Sequence, residues 1–572
     1  MTVIATAGHV DHGKSTLVLR LTGTDPDRWT EEKSRGLTID LGFANTTLPS
    51  GEDLSFIDVP GHIRFLRNML SGVGAVDGCL FVVAATEGWK PQSEEHLRIL
   101  DLLGLTRGVV ALTKIDQVDD DLYELARMDV EEHVAGTFLE GADIVGVSAP
   151  DGTGIDDLRA SLDRIVASVD RSGDRGTPRL WVDRSFAPAG AGTVVTGTLT
   201  GGAMTVGDEL HVSPGGTTVR IRGLQSHHTD HETVAAGNRV AVNVTGISHG
   251  DIGRGDVLID DRAWHRSAII DAELSVLDGL DHPVTRRGAY AAYVGSGEFP
   301  ARLRVLGGTT IESGAVGAVR LYLDRPVPVL PGDRFILRES GRNETVGGGS
   351  VLDVEPTLPA TKANPDRSID RVVAERGWVE ADHLARLTGV AMEPTVGRWV
   401  VDPTALETAT AQVRALVEGA DALGLDVAAL DDRQRAILAT IEDVTVVAGK
   451  AKIGEVVDPL AGHPWVAALA AEPFAPPGAD GVDRGEVREL VRRGTVVEQD
   501  GVFFAKSAVD QAIAMLRDAL AASDGGLTVA EIRDLYGTTR KYALALLAHL
   551  DGTGVTRRRD DVRIAGPRMP AG

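Results

Sequence analysis

Residues Gly8-His9-Val10-Asp11-His12-Gly13-Lys14-Ser15 combine residue types and spacing suited to holding phosphate. A glycine-rich turn brings backbone N–H groups onto an anion, Lys14 reaches the outer phosphates, and the Ser15 hydroxyl can ligate Mg²⁺. Asp11, His12, Gly13 and Thr16 complete the turn and first helical residues around such a ligand. Further groups follow in the order a nucleotide site needs. Asp58 of Asp58-Val59-Pro60-Gly61-His62 can hold Mg²⁺, usually through water, and the Gly61 amide can face a γ-phosphate. His62 is placed to orient an attacking water. Thr38 can complete the Mg²⁺ sphere when triphosphate is bound, making its segment an order–disorder switch. In Thr113-Lys114-Ile115-Asp116 the Asp116 carboxylate can accept from both guanine N1–H and the 2-amino group. Adenine offers neither in that form, so the base is guanine. Lys114 can lie along the base, and Ser148-Ala149 can present a backbone N–H to its oxygen. The expected chemistry is GTP binding and hydrolysis to GDP, with Mg²⁺ as cofactor.

The elements that must position these groups can be read from the same stretch. Apolar runs predict strands at 2–7, 54–58, 78–84, 107–112 and 143–147; helical patterns predict helices at 14–22, 91–103, 120–136 and 154–168. Alternation of this kind implies a mostly parallel sheet covered on both faces, with ligands at the C-terminal strand ends. Beyond a polar linker at 170–178, short β-branched runs separated by glycine and proline turns extend to about 355. They predict antiparallel β-barrels, and the length favours two, divided near Ile259-Asp260-Asp261. From about 362 the pattern becomes short amphipathic helices with brief β pieces. Helices around 527–535 and 540–550, followed by a hairpin holding Arg557-Arg558-Arg559, have a winged-helix layout.

Composition bounds the rest. The chain has 572 residues, 43% hydrophobic and 25% charged, which suits several globular domains and excludes disorder. A single cysteine, Cys79, excludes an intramolecular disulfide. No apolar run reaches membrane-spanning length and the first residues lack a signal-peptide pattern, so a cytoplasmic protein with no membrane partner is expected. The net charge of −25 speaks against general affinity for nucleic acid but leaves room for a local basic patch.

The segments Gly8–Ser15 and Asp58–His62 resemble translational GTPases of the elongation factor Tu class. The stretch Leu21–Phe43, the pair Val182–Phe186 and Val195–Thr198, and the tail around Arg540-Lys541-Tyr542 resemble the bacterial selenocysteine-specific elongation factors. The resemblance implies a G domain at 1–173, β-barrels at 174–260 and 261–358, and four winged-helix modules within 362–572. It implies GTP-dependent delivery of selenocysteyl-tRNA to the ribosome at UGA codons specified by a messenger RNA hairpin, by a factor acting as a monomer. Val10 would form one side of an apolar gate beside His62, and hydrolysis would be ribosome-stimulated. Asp183, Arg184 and Arg239 would form the aminoacyl pocket, where arginine favours a selenolate over a serine hydroxyl. Arg540, Lys541, Arg557, Arg558 and Arg559 would contact the hairpin. The chain has Thr113 where the family motif often has Asn, and Ser15 where elongation factor Tu has Thr. The alternatives are a general tRNA carrier, a G protein regulating a metabolic complex, and a non-hydrolysing RNA-binding scaffold.

Overall fold

A computed structural model describes residues 2–26, 38, 40–61, 68–70, 76–169, 175–227, 229–421, 423–454, 458, 460–523 and 525–570. They form two compact units, residues 1–406 and 407–572. The first begins with a six-stranded sheet ordered β2-β3-β1-β4-β5-β6. Its strands are β1 (Thr2–Ala7), β2 (Gly42–Thr47), β3 (Asp53–Asp58), β4 (Gly78–Ala84), β5 (Gly108–Thr113) and β6 (Ile144–Val147). All neighbours are parallel except β2, which pairs antiparallel with β3. No strand was expected there, because Gly-Phe-Ala-Asn-Thr-Thr lacks a β-branched core run and pairs on one side alone.

Among the described residues, the helices α1 (Lys14–Thr22), α2 (Pro91–Leu102), α3 (Asp120–Val134) and α4 (Ile155–Ser168) cover the sheet. Side-chain alternation assigns each strand to two cores. Val3, Ala5, Phe81, Val83, Val110 and Leu112 pack with Leu97 and Leu100 of α2 and Ala126 and Val130 of α3. Ile4, Leu80, Val82, Val109 and Ala111 pack with Leu17 and Val18 of α1 and Leu158 and Leu162 of α4. Burial on both faces explains why these strands are continuously apolar. Because they run parallel, strands β3, β1, β4, β5 and β6 end along one edge of the sheet, at Asp58, Ala7, Ala84, Thr113 and Val147.

Two barrels follow in the same unit. In the first, six strands from Arg179–Phe186 to Val257–Ile259 close through the pairing of Glu209–Ser213 with Thr217–Ser226. The second is a closed six-stranded barrel starting at Ser267–Val276. Its core is not private. Val372 and Val373 of the helix Ile369–Arg376, and Leu384 and Leu387 of the helix Ala381–Thr388, join the barrel's cluster. Arg371 reinforces the join with a hydrogen bond to Asp353 of the barrel at 2.9 Å, and is itself steadied by Glu375 of its own helix at 2.8 Å.

The second unit ends in the helices Lys506–Ala521, Val529–Leu535 and Arg540–Thr553 and the hairpin Thr556–Arg559/Val562–Ala565. A short strand, Leu527–Thr528, pairs with the hairpin's second strand. Thr528 and Glu531 form a capping box, and Ile532, Leu546 and Leu550 build the core with Phe504 and Leu516. Among the described residues no helix is long and apolar enough to cross a membrane.

Candidate functional site

The loop after β1 turns through Gly8 at φ 125°, Asp11 at φ 61° and Gly13 at φ 88°. Gly8 has no alternative residue, since a Cβ would stand 2.1 Å from the Val82 carbonyl oxygen. Lys14 starts α1 and donates from Nζ to the carbonyls of Gly8 at 3.0 Å and His9 at 2.8 Å. These bonds hold its ammonium over the concave side of the loop, where Gly61 closes in: a Cβ there would meet Lys14 Nζ at 2.5 Å. Asp11 and Thr16 are exposed at the rim.

Three oxygens meet at the start of α1. Ser15 Oγ donates to Asp58 Oδ2 at 2.6 Å and lies 2.9 Å from Thr38 Oγ1. Thr6 fixes the carboxylate by donating to Asp58 Oδ1 at 2.7 Å, and itself accepts from the Val59 amide. Two hydroxyls and one buried carboxylate are hard donors in the number Mg²⁺ takes from protein, the balance coming from phosphate and water. Among the described residues no His, Cys, Asp and Glu cluster offers a richer metal site. The donor set fits Mg²⁺ and brings Ser15, Thr38 and Asp58 together from three separate segments.

On the base side, Thr113 ends β5 and donates to the His12 carbonyl at 2.7 Å. The threonine in place of asparagine thus still ties the phosphate loop to the base loop. Lys114 follows at φ 60° and pairs with Glu87 at 3.0 Å, and Asp116 is exposed on the 3₁₀ turn Ile115–Gln117. Beyond β6, the Ser148 amide donates to the Thr153 carbonyl at 3.0 Å, so of the pair Ser148-Ala149 the Ser148 N–H is already engaged. Val10 donates from its amide to Gln92 Oε1 at 3.4 Å. His62 and the segment 27–37 lie outside the described residues.

Two histidines of this site carry no charge at neutral pH. Burial lowers His12 to about 4, and the neighbouring His9 adds to the effect. Burial lowers His96 to about 3, helped by the Lys14 charge. His96 projects from α2 and accepts the Gly8 N–H at Nδ1, 3.1 Å away. Nothing in the spacing of the sequence pointed to His96, because its partner lies 88 positions away.

A second constellation sits between β2 and the first barrel. The Asp183 carboxylate is clamped by Arg239 through both oxygens and by Thr196 Oγ1 at 2.6 Å. A β-bulge between Val182 and Arg184 re-aims this part of the strand. Phe43 of β2 lies between two guanidinium groups, Arg239 at 3.5 Å and Arg184 at 4.7 Å from its ring centre. Arg184 also donates to the Leu41 carbonyl. An open pocket of about 720 Å³ adjoins them, lined in addition by Asn45 and His227, which hydrogen-bond each other at 3.1 Å. Phe43 was legible as part of a resemblance but carried no assigned role; its value comes from the two arginines that reach it from another domain.

In the second unit Arg540 and Lys541 are exposed in the first turn of the helix Arg540–Thr553, and Arg557, Arg558 and Arg559 on the hairpin strand. Strand alternation divides the arginine run. Arg558 stands opposite Arg563, while Arg557 and Arg559 stand opposite Ile564 and Val562.

Comparison with known proteins follows the same division. Residues 1–168 match the elongation factor Tu GTP-binding domain and 192–259 elongation factor Tu domain 2. Residues 273–358 match the β-barrel domain of the selenocysteine-specific elongation factor, and 518–565 the winged helix of elongation factor SelB. A selenocysteine-specific elongation factor of Desulfomicrobium baculatum is 42% identical over 61% of this chain and 55% of its own length, so that alignment spans about half of the relative. The one of Escherichia coli (strain K12) is 31% identical over 97% of both chains. A crystal structure of a bacterial selenocysteine-specific elongation factor superposes over 99% of both chains, with a TM-score of 0.71 and 26% identity. With similarity running through the G domain, both barrels and the C-terminal modules, the chain belongs to the selenocysteine-specific elongation factors, GTP-binding proteins of protein biosynthesis that serve selenocysteine incorporation.

Proposed function

We propose that this protein, a cytoplasmic monomer, carries selenocysteyl-tRNA in its GTP-bound form to the ribosome at UGA codons marked by a messenger RNA hairpin, and releases it when hydrolysis is stimulated there. The observation that carries this reading is adjacency. Thr38, beside Ser15 and Asp58, lies within a few residues of Leu41 and Phe43, which the pocket arginines touch. Lys14 and the loop amides bind phosphate; the Gly61 amide faces the terminal one. Ser15, Thr38 and Asp58 would hold Mg²⁺, which when bound offsets the phosphate charge. Asp116 and Lys114 select guanine, with Ala149 offering its amide to the base oxygen. His62 orients the attacking water, with Val10 on one side of its approach. In the pocket, Arg184 and Arg239 flank an apolar ring and favour an anionic selenolate over a neutral hydroxyl, because part of their charge is desolvated. Arg540, Lys541 and the wing arginines meet the hairpin through phosphates and unstacked bases.

The test is competition between selenocysteyl-tRNA and seryl-tRNA built on the same tRNA, with GTP and then GDP. A preference of at least tenfold for the selenocysteyl form, present with GTP and lost with GDP, is expected. Equal affinities would remove the selenocysteine-specific reading and leave a general tRNA carrier.

A further inference from the structure

Arg254 places each of its three guanidinium nitrogens on a different segment, the three far apart in sequence. Nη2 donates to Asp40 Oδ1 at 2.7 Å, Nη1 to Asn68 Oδ1 at 2.7 Å, and Nε to the Asp183 carbonyl at 3.2 Å. Asp40 lies two residues beyond Thr38, so the two cannot be more than about 7 Å apart along the chain. Asn68 lies seven residues beyond Gly61. Asp183 carries the carboxylate that clamps Arg239. Arg254 is itself held to the barrel. The Gly255 amide donates to the Val182 carbonyl at 3.1 Å, and the Val182 amide to the Asp256 carbonyl at 2.9 Å. Gly255 sits at φ 89° with Gly297 packed against it, so the turn has little room to shift.

We propose that Arg254 is a positioning residue that relays the state of the nucleotide site to the aminoacyl pocket, through Asp40 and Asn68 on one side and Asp183 with Arg239 on the other. The inference rests on the reading of the protein as a GTP-dependent carrier of aminoacyl-tRNA. When Thr38 and Gly61 change partners with the nucleotide, Asp40 and Asn68 move with them, and a planar fork with three fixed directions cannot follow both and keep its bond to Asp183 unchanged. A relay needs contacts that differ between the two states, and Arg254 makes its contacts to residues that follow Thr38 and Gly61 in the chain.

The variants are Arg254→Ala, Arg254→Lys and Asp40→Asn in the full chain. The first readout is amide hydrogen exchange in the strand Arg179–Phe186 with a non-hydrolysable GTP analogue against GDP. The second is affinity for selenocysteyl-tRNA in each nucleotide state. The wild type should show exchange in that strand that differs between nucleotides. All three variants should shrink the difference at least fivefold, lysine included because it keeps the charge without the fork. The ratio of tRNA affinities between GTP and GDP forms should fall at least tenfold in Arg254→Ala and Asp40→Asn alike. The relay is overturned by exchange in the wild-type strand that ignores the nucleotide, or by Arg254→Ala weakening tRNA equally in both states while Asp40→Asn leaves binding intact or tighter. The second pattern would make Arg254 a direct RNA ligand. Loss of GTP binding itself in Arg254→Ala would reduce it to a structural residue and equally overturn the proposal. If exchange behaves as expected while wild-type tRNA affinity ignores the nucleotide, the relay stands and the carrier reading falls.

Discussion

His96 shows how a single side chain can set a backbone that does the binding. Gly8 needs its positive φ because the Val82 carbonyl leaves no space for a Cβ, and its N–H then points at a buried, neutral imidazole. The sign of the pH effect follows from the lowered value. Between about pH 6.5 and about 3 the unfolded chain binds a proton at His96 that the folded chain refuses. Stability is present above that window and falls as pH drops through it, by at most about 1.4 kcal/mol per pH unit for this group. His12, lowered to about 4, adds a similar contribution over a narrower range. His96→Gln retains an acceptor for the Gly8 N–H and has no proton to gain. Denaturant unfolding from pH 6.5 to 5 should therefore show a shallower acid slope than the wild type, by about one proton. An unchanged slope would mean that His96 is already protonated or not buried.

At the scale of elements, the strands and helices of the G domain follow from patterns that two-sided burial imposes, whereas β2 does not. An edge strand bearing Asn and Thr draws its conformation from β3 beside it, and it is this strand that carries Phe43 into the pocket. The wing of the last module teaches a related lesson. A run of three arginines reads as one patch, but the pleat sends Arg558 to the face of Thr556 and Arg563, both hydrogen-bonded to Asp551 of the helix Arg540–Thr553. Arg557 and Arg559 go to the other. RNA bound on the face of the hairpin that carries Thr556 and Arg563 would meet Arg558. Arg558→Ala should weaken hairpin binding more than Arg557→Ala or Arg559→Ala and lower the salt slope by about one ion, with GTP affinity unchanged. Equal losses for all three would show that the wing is read from its tip rather than from one face.

Over the whole molecule, the division between barrel and C-terminal region is not where composition changes. The helices Ile369–Arg376 and Ala381–Thr388 complete the core of the second barrel, so the first compact unit continues to Leu406. Leu384→Ala, at a fully buried position, should cost about 2–5 kcal/mol. Because the core is shared, hydrogen exchange should rise in the barrel strands Val316–Val327 and Glu344–Asp353 as well as in the two helices. It should stay unchanged in the terminal helix Arg540–Thr553. Loosening confined to the two helices would refute the shared core.

Sequence alone determined what is local: a loop whose glycines and lysine suit phosphate, a carboxylate suited to guanine, and strand and helix periods that order an α/β sheet, barrels and winged helices. These are legible because each depends on residues a few positions apart. Tertiary structure decided what depends on distant partners. It brought Ser15, Thr38 and Asp58 within hydrogen-bond reach, set His96 under Gly8, and placed Phe43 between two arginines of the barrel. It also gave Arg254 its three acceptors. Sequence spacing cannot encode such meetings, because the distance between two side chains far apart in the chain is fixed by the packing of every element between them.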